Sequence, residues 1–176
     1  MRNKKNNLWL WATKNPLVVL LCAAIFALGF AYISQYFFDY QPCILCYHQR
    51  KPFFAIIPIC LFGLFVLKSK NSQKYLTAFC ALLLLINTAI AFYHSGVENK
   101  IFAGPSTCSS VSNLNQITDL NELAQALENT KAIRCDEPQF IFLKLSMAEW
   151  NVLYCLILLI FSVASLKLHG HFFSRR

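Results

Sequence analysis

Four of the eight cysteines in this chain lie outside its apolar runs, where their thiols could react with groups in water. Cys43 and Cys46 form a Cys-x-x-Cys pair just after the first apolar run, and Cys108 and Cys135 lie in the only long polar segment. An even number of cysteines on the oxidising side of a membrane is the pattern expected of disulfides. The four residues therefore form either two static structural bridges or two redox-active pairs.

The spacing within each pair bears on that choice. A ring closed over two intervening residues is a common redox arrangement, so the spacing predicts redox chemistry for Cys43 and Cys46. The long separation of Cys108 and Cys135 suits a structural bridge equally well. Haem attachment would need histidine directly after Cys46, where Tyr47 stands, and a four-cysteine zinc site usually has a second close pair. We therefore expect neither haem nor a metal at this pair.

Two basic residues are candidates for contact with a cofactor. If a helix begins near Cys46, then Cys43, Cys46 and Arg50 share one of its faces. The helix N-terminus and the guanidinium would both favour a thiolate, so we predict a lowered pKa for Cys46. His94 follows the third apolar run at the same predicted depth as Arg50. The simpler alternatives are an Arg50 that reaches the lipid headgroups and a His94 that is solvated at the interface.

Four apolar runs must hold these residues in place. The composition, 57% hydrophobic and 14% charged, is too apolar for an ordinary soluble domain. A helix needs about 20 apolar residues to cross the hydrocarbon core. We predict helices over 16–38, 47–67, 75–93 and 147–166, separated by outer loops 39–46 and 94–146. The sequence thus predicts a single all-α integral membrane domain over residues 1–176, a four-transmembrane-helix bundle.

Two of these runs need comment. Pro52 and Pro58 interrupt the second run, and membrane helices tolerate such kinks when neighbouring groups satisfy the freed carbonyls. The first run follows basic residues but is longer than the apolar core of a signal peptide and has no A-x-A exit, so we expect a permanent anchor. The remaining cysteines lie one in each run, where we expect them to pack as small apolar side chains: Cys22, Cys60, Cys80 and Cys155.

The charges are distributed unevenly between the two sides of this bundle. Ten of the 16 Lys and Arg fall on the side of the termini, and all eight acidic residues fall on the other side. The positive-inside rule then places both termini in the cytoplasm and the four outer cysteines in the periplasm. The net charge of +8 mostly reflects this bias, and no basic soluble face for nucleic acid is present.

The second outer loop contains an amphipathic pattern. Leu120, Leu123, Ala124 and Leu127 recur at helical spacing, with Thr118 or Asp119 as the cap. We predict a short helix that lies flat on the membrane surface. The apolar run 140–143 is predicted to be a second surface-seeking element that leads into the fourth helix.

Several motifs together carry a resemblance that covers nearly the whole chain. They are Gln41-Pro42-Cys43-Ile44-Leu45-Cys46 followed by Gln49-Arg50, then Tyr93-His94-Ser95-Gly96-Val97-Glu98, then Gly104-Pro105-Ser106-Thr107-Cys108, and finally Cys135-Asp136-Glu137 with Phe142-Leu143 and Leu145-Ser146-Met147. In this order, and with four apolar spans, the chain resembles the bacterial DsbB family. Some members of that family carry an acidic residue just before the arginine, where this chain has Gln49. In this chain Lys51 follows the arginine.

The resemblance implies roles for the cysteines. A reduced DsbA-type protein would attack Cys108 of a Cys108–Cys135 disulfide and form a mixed disulfide. Cys43 would exchange with that pair through a Cys43–Cys135 link. Cys46 would then be left as a thiolate that faces a membrane quinone.

It also implies a cofactor, a partner and a location. Arg50 would stabilise negative charge on the Cys46 thiolate or on the quinone oxygen, and His94 matches a histidine of the family's quinone pocket. The resemblance implies an enzyme of the bacterial inner membrane that oxidises a periplasmic thioredoxin-like partner of the DsbA type. We expect the protein to be a monomer. The cofactor would be ubiquinone or menaquinone, and the sequence does not distinguish the two.

Two other functions compete with this interpretation. A vitamin K epoxide reductase-like protein also joins two cysteine pairs to a quinone, but its loop pair precedes a Cys-x-x-Cys on a late helix. Here the Cys-x-x-Cys comes first. The non-enzymatic alternative is a four-helix scaffold held by two structural disulfides.

Overall fold

In the computed structural model of the chain, residues 9–67, 69–105, 134–138 and 140–173 are described. Four long helices account for most of them: α1 (Pro16–Phe37), α2 (Ile44–Phe65), α3 (Lys70–Glu98) and α4 (Met147–Phe173). Residues 9–14 are also helical. A two-residue hairpin, β1 (Ile141–Phe142) and β2 (Leu145–Ser146), precedes α4. The described part is mostly helical, as expected of an all-α membrane protein.

Consecutive helices pack against one another, and α3 lies along α4. The buried core draws side chains from every helix: Leu17, Leu20, Ala24 and Leu28 of α1, Phe53, Ile56 and Cys60 of α2, Cys80 and Leu84 of α3, and Cys155 and Leu158 of α4. Three of the four cysteines that we expect to pack inside the bundle are buried there. Cys22 is the exception, because its side chain is exposed on α1.

The outer surface of the bundle is apolar. Large side chains such as Phe26 on α1, Leu85 on α3 and Ile160 on α4 are exposed. A soluble monomer rarely carries so extensive an apolar surface, whereas lipid would cover it. In the described part of the chain, three helices are long and apolar enough to cross a membrane: Pro16–Phe37, Lys70–Glu98 and Met147–Leu168.

The helix α2 differs from these three in composition. It has 22 residues, as many as α1. Gln49, Arg50 and Lys51 lie in its second turn, and the prolines predicted to interrupt it, Pro52 and Pro58, are inside the helix. These polar residues lower its mean hydropathy, although the half that follows Pro52 is as apolar as its neighbours.

The start of α2, the end of α3 and the start of α4 lie near the residues for which redox chemistry is predicted. Cys43 is the N-cap of α2, so the Cys-x-x-Cys pair forms the first turn of that helix instead of lying in a loop. His94 and Glu98 belong to the last turns of α3, which runs five residues beyond the predicted end at 93. The backbone N–H groups of Ile101 and Phe102 close this end by donating to the Gly96 carbonyl at 2.8 and 3.1 Å.

The start of α4 is fixed by a capping box. The Glu149 N–H donates to the Ser146 hydroxyl at 3.2 Å, and the Ser146 N–H donates to the Glu149 carboxylate at 2.8 Å. The hairpin just before it turns through Leu143 and Lys144, both with positive φ, as a two-residue hairpin turn requires. The amphipathic segment 118–127 of the predicted loop lies outside the described residues.

Candidate functional site

The two thiols of the Cys-x-x-Cys pair are free and lie side by side. Their sulfur atoms are 3.2 Å apart, within hydrogen-bond distance. The Cys46 N–H also donates to the Cys43 Sγ at 3.3 Å, which makes Cys43 the side-chain cap of α2. An N-cap sulfur faces the positive end of the helix dipole, so this position favours a thiolate at Cys43.

The charge of the pair therefore falls on Cys43. The hydrogen bond with the Cys46 thiol is the largest of the causes that lower the pKa of Cys43 to about 4, and His94 lowers it further against the opposing effect of burial. The same hydrogen bond, together with burial and the charge of Cys43, raises the pKa of Cys46 well above its usual value. The predicted lowered pKa of Cys46 is wrong, because one negative charge is shared by two thiols and the cap position holds it.

His94 is a direct neighbour of the Cys43 sulfur. Its ring is buried, with 2% of its surface exposed. Nε2 lies 3.4 Å from the Cys43 Sγ, and Nδ1 lies 2.8 Å from the Gln49 Nε2. Because the Gln49 amide N–H donates to Nδ1, the ring proton of neutral His94 is on Nε2, where it donates to the Cys43 thiolate.

The Gln49 amide is itself held from α4. The Asn151 Nδ2 donates to the Gln49 Oε1 at 2.7 Å, and the Asn151 Oδ1 accepts from the Cys155 thiol at 3.5 Å. The Asn87 amide donates to the Cys155 Sγ at 3.3 Å, a hydrogen bond between α3 and α4. A buried chain of polar groups thus runs from the middle of the bundle to Cys43, with every donor pointing toward the thiolate.

Glu98 lies one helical turn after His94 on α3. Its Oε1 is 3.6 Å from the His94 Nε2, and its side chain is 8% exposed. Among the residues that the structure describes, none donates a hydrogen bond to its buried Oε2. This carboxylate lies close enough to Cys43 and Cys46 to interact electrostatically with both thiols. A second negative group therefore borders the dithiol.

Arg50 does not face the dithiol. Its guanidinium donates to the Gln35 Oε1 at 2.7 Å and to the Ala31 carbonyl at 3.4 Å, both on α1. Its Cζ lies 5.2 Å from the centre of the Tyr32 ring. The spacing predicts a face shared with Cys46, but the long side chain of Arg50 instead turns toward α1, where an amide oxygen and an aromatic face receive it.

The two basic residues predicted to contact a cofactor therefore differ in the hydrogen-bonding groups that remain available to a ligand. The Arg50 guanidinium has five N–H donors and two described acceptors, so donors remain for a carbonyl oxygen between α1 and α2. Both nitrogens of His94 already face protein groups. The donor set at Arg50 fits a quinone carbonyl, whereas the contacts of His94 connect it to Cys43.

The second cysteine pair reaches this site through Cys135. The Cys135 side chain is 1% exposed and packs in one buried cluster with Cys43, Leu45 and Val97, with Cys46 at its edge. Cys135 is disulfide-bonded. Beside it, the exposed Arg134 guanidinium binds the Asp136 carboxylate at 2.7 and 3.0 Å. Cys108 lies outside the described residues.

Sequence reasoning missed three residues of this site as partners of the cysteines: Gln49, Glu98 and Asn151. The sequence signal that could have identified two of them is their helical spacing from a residue already predicted to be in the site. Glu98 follows His94 by one turn, and Gln49 follows Cys46 by three residues. Asn151 carries no such signal, because its partner Gln49 lies on another helix.

The chain is similar to known proteins over most of its length. Residues 13–165 match the family described as Disulfide bond formation protein DsbB. An uncharacterized protein of Rickettsia prowazekii (strain Madrid E) is 33% identical over 144 residues, 82% of each chain. No solved structure matches.

Two relatives are named Disulfide bond formation protein B. The one from Blochmanniella floridana is 28% identical over 87% of each chain. The one from Pseudoalteromonas atlantica is 29% identical over 75% of this chain and 76% of its own. With its apolar helices and this family match, the chain is a multi-pass membrane protein of disulfide bond formation, a member of the DsbB family.

Proposed function

We propose that this protein oxidises a periplasmic DsbA-type dithiol and passes the electrons through two cysteine pairs to a membrane quinone. One observation carries the proposal: Cys135 packs in the same buried cluster as the Cys43–Cys46 dithiol, although the two are far apart in sequence. Disulfide exchange requires a thiolate next to a disulfide sulfur, and this cluster supplies both partners.

The exchange begins on the loop pair. The partner's thiolate attacks the Cys108 sulfur of a Cys108–Cys135 disulfide, which forms a mixed disulfide and releases the Cys135 thiolate. Cys135 then attacks Cys43 in a Cys43–Cys46 disulfide, and Cys46 leaves as a thiolate. The presence of Cys135 and Cys43 in one buried cluster supports this Cys43–Cys135 link.

The second half returns the loop pair to its disulfide. The partner's other thiol displaces Cys108 from the mixed disulfide, and the partner departs oxidised. Cys108 then attacks Cys135 and releases Cys43 as a thiolate. A thiol of low pKa leaves fastest, and the pKa of Cys43 is lowered to about 4 by the hydrogen bond with Cys46 and by His94. The two electrons of the partner now reside on Cys43 and Cys46.

Arg50 is the residue that would hold the cofactor. When bound, a quinone supplies the two-electron acceptor that allows Cys43 and Cys46 to close to a disulfide. The Arg50 guanidinium would donate a hydrogen bond to a carbonyl oxygen and oppose negative charge there. Its contacts with Gln35 and Tyr32 hold it at the α1–α2 surface, where an apolar molecule can approach from lipid.

The proposal includes an orientation. With α2 as a fourth crossing, both termini lie on the basic, cytoplasmic side, and the dithiol faces the periplasm. The proposal also holds that the four helices form one domain. The protein would work as a monomer in the bacterial inner membrane. This arrangement joins a water-soluble partner to an acceptor that dissolves only in the bilayer.

The test is reconstitution of the purified chain with a reduced DsbA-type protein and either ubiquinone or menaquinone, followed by quinone absorbance. We expect partner-dependent quinone reduction that is abolished in Cys46→Ala and retained in Cys22→Ala, because Cys22 is exposed on α1 away from the site. Undiminished reduction by Cys46→Ala, or none by the unmodified protein with either quinone, would contradict the proposal. A non-enzymatic scaffold with two structural disulfides would give no quinone reduction with either quinone.

A further inference from the structure

The reduced dithiol and His94 have the arrangement of a metal site. The two sulfurs and one ring nitrogen all lie within 4.8 Å of one another. The separation is 3.2 Å between the sulfurs and 3.4 Å between the Cys43 Sγ and the His94 Nε2. Tetrahedral Zn²⁺ with ordinary bond lengths would place such atoms about 3.8 and about 3.6 Å apart. A small outward movement of the three side chains would admit the ion.

A carboxylate lies next to the histidine of this group. The Glu98 Oε1 lies 3.6 Å from the His94 Nε2, the Ser146 side chain approaches the carboxylate, and the buried Oε2 accepts no hydrogen bond from the described residues. A buried, partly unsatisfied carboxylate costs free energy unless something compensates it. A cation at the dithiol would provide that compensation, so Glu98 is an observation independent of the cysteine spacing.

We propose that Cys43, Cys46, His94 and Glu98 form a binding site for one thiophilic divalent cation of the zinc class, present only while the dithiol is reduced. The two thiolates and the carboxylate supply negative charge, and binding releases the Cys46 proton to solvent. A Cys43–Cys46 disulfide offers no thiolate, so oxidation closes the site. The sequence predicts no metal here because a second close cysteine pair is missing, but the fold brings a histidine and a carboxylate to that place.

The surrounding polar chain can adapt to the ion. A metal-bound Nε2 requires the His94 proton on Nδ1, and a ligating histidine usually donates that N–H to an oxygen. Gln49 and Asn151 are both amides, so rotating each by half a turn exchanges N and O without moving the chain. The Gln49 Oε1 then accepts from Nδ1, and its Nε2 donates to the Asn151 Oδ1.

The site has a consequence that rests on the proposed function. A thiolate bound to a metal shares its electron pair with the ion, so it attacks a disulfide more slowly and cannot close to one while it stays bound. Zn²⁺ at this site would therefore hold the enzyme in its reduced form until the cation is removed. The effect would fall on the reduced enzyme and spare the oxidised one.

The test uses Co²⁺ as a spectroscopic substitute for Zn²⁺, added to the full chain in detergent. After reduction and removal of the reductant, we expect one Co²⁺ per chain, with thiolate charge-transfer bands and the intense visible bands of tetrahedral cobalt. Zn²⁺ should displace it, because thiolate ligands select zinc. The same protein with the Cys43–Cys46 disulfide should give no such bands, and this comparison needs no variant.

Variants then identify the ligands. Loss of an outer-sphere partner costs roughly 10–100-fold in metal affinity, so His94→Ala and Glu98→Gln should each weaken Co²⁺ binding by at least about 10-fold. Cys60→Ala with Cys80→Ala is the matched control, because these buried thiols also lie next to each other but have no histidine, and binding should be unchanged. Octahedral cobalt, equal binding to the oxidised protein, or loss of the bands only in the control would overturn the site. The cobalt spectra report metal binding and not activity. The metal site can therefore be disproved while quinone reduction still supports the proposed function.

Discussion

At the scale of single residues, the function depends on which cysteine carries the negative charge. The spacing identifies Cys43 and Cys46 and suggests Arg50 as the stabilising group. The structure instead gives Cys43 the helix cap and the His94 ring, while Arg50 turns to α1. Sequence distance cannot reveal this, because the contact between Cys43 and His94 joins residues 51 positions apart.

The lowered pKa of Cys43 predicts a pH dependence. Folding keeps Cys43 ionised down to about pH 4, whereas an unfolded thiol is protonated below about 9. The thiolate therefore stabilises the reduced fold fully above the unfolded pKa, and this contribution is lost as pH falls toward 4. Thermal unfolding of the reduced protein should show stability that rises with pH across this window. Cys43→Ser should show a flatter profile, and identical profiles would contradict the assignment.

Gln49 is a positioning residue for His94. Gln49→Leu leaves the His94 Nδ1 and the Asn151 amide without their partner, at a cost of about 1–3 kcal/mol for each buried group. Since the His94 proton is then no longer fixed on Nε2, we expect the pKa of Cys43 to rise. Alkylation rate against pH measures that shift. Gln41→Leu, at an exposed glutamine, should leave the profile unmoved. A loss of stability without a shifted profile would make Gln49 merely structural.

At the scale of elements, the helices lie where the apolar runs predict them, but two of their ends lie outside those runs. Hydropathy predicts an end at 93 for the third helix and a start at 47 for the second. The structure continues α3 to Glu98 and begins α2 at Ile44. Both ends are set by polar contacts that hydropathy ignores: the sulfur cap of Cys43 and the closure of α3 on the Gly96 carbonyl. The site lies within these extra turns.

Gly96 tests whether the end of α3 positions the site. A Cβ at Gly96 would overlap the Phe102 ring, which stacks on Tyr93 at 5.8 Å. Gly96→Ala should therefore destabilise the protein by about 1–3 kcal/mol. It should also displace His94 and Glu98, raising the pKa of Cys43 because the hydrogen bond from His94 weakens.

Two further variants control for this change. Adding Phe102→Ala removes the overlap, so the double variant should recover part of the loss in unfolding measurements. Gly29→Ala is the matched control, because nothing lies within 4 Å of its added Cβ. Helix propensity alone favours alanine over glycine at both positions, so Gly29→Ala should not destabilise the protein. Equal destabilisation by both glycine variants would contradict the assignment of the effect to the Phe102 contact.

At the scale of the whole molecule, composition and charge predict a membrane bundle with one basic side. In the described part of the chain, three helices are long and apolar enough to cross a membrane. The helix α2 contains the polar turn that supplies Gln49 to the site. That polar turn is the reason hydropathy alone does not settle the number of crossings. The deeper arrangement, in which α4 supplies Asn151 to a site on α2 and α3, depends on helix packing that a single sequence does not encode locally.

The number of crossings has a direct consequence for topology. Four crossings place both termini on the same side, whereas three place them on opposite sides. Under the proposed orientation with four crossings, fluorescent-protein fusions should fluoresce at both ends, and an alkaline phosphatase fused after Lys100 should be active in the periplasm. Fluorescence at one end only would exclude α2 as a crossing.

The central claim is that the two cysteine pairs exchange through Cys43 and Cys135, which share one buried cluster. In Cys46→Ala, the Cys43 thiolate lacks its own partner and can attack Cys135 in the Cys108–Cys135 disulfide, which frees Cys108. Mass spectrometry of disulfide-linked peptides after incubation with the oxidised DsbA-type partner measures this directly. The account predicts a Cys43–Cys135 link in Cys46→Ala, with Cys108 free or joined to the partner, and no such link in the Cys43→Ala control. An unchanged Cys108–Cys135 disulfide beside a free Cys43 would contradict it.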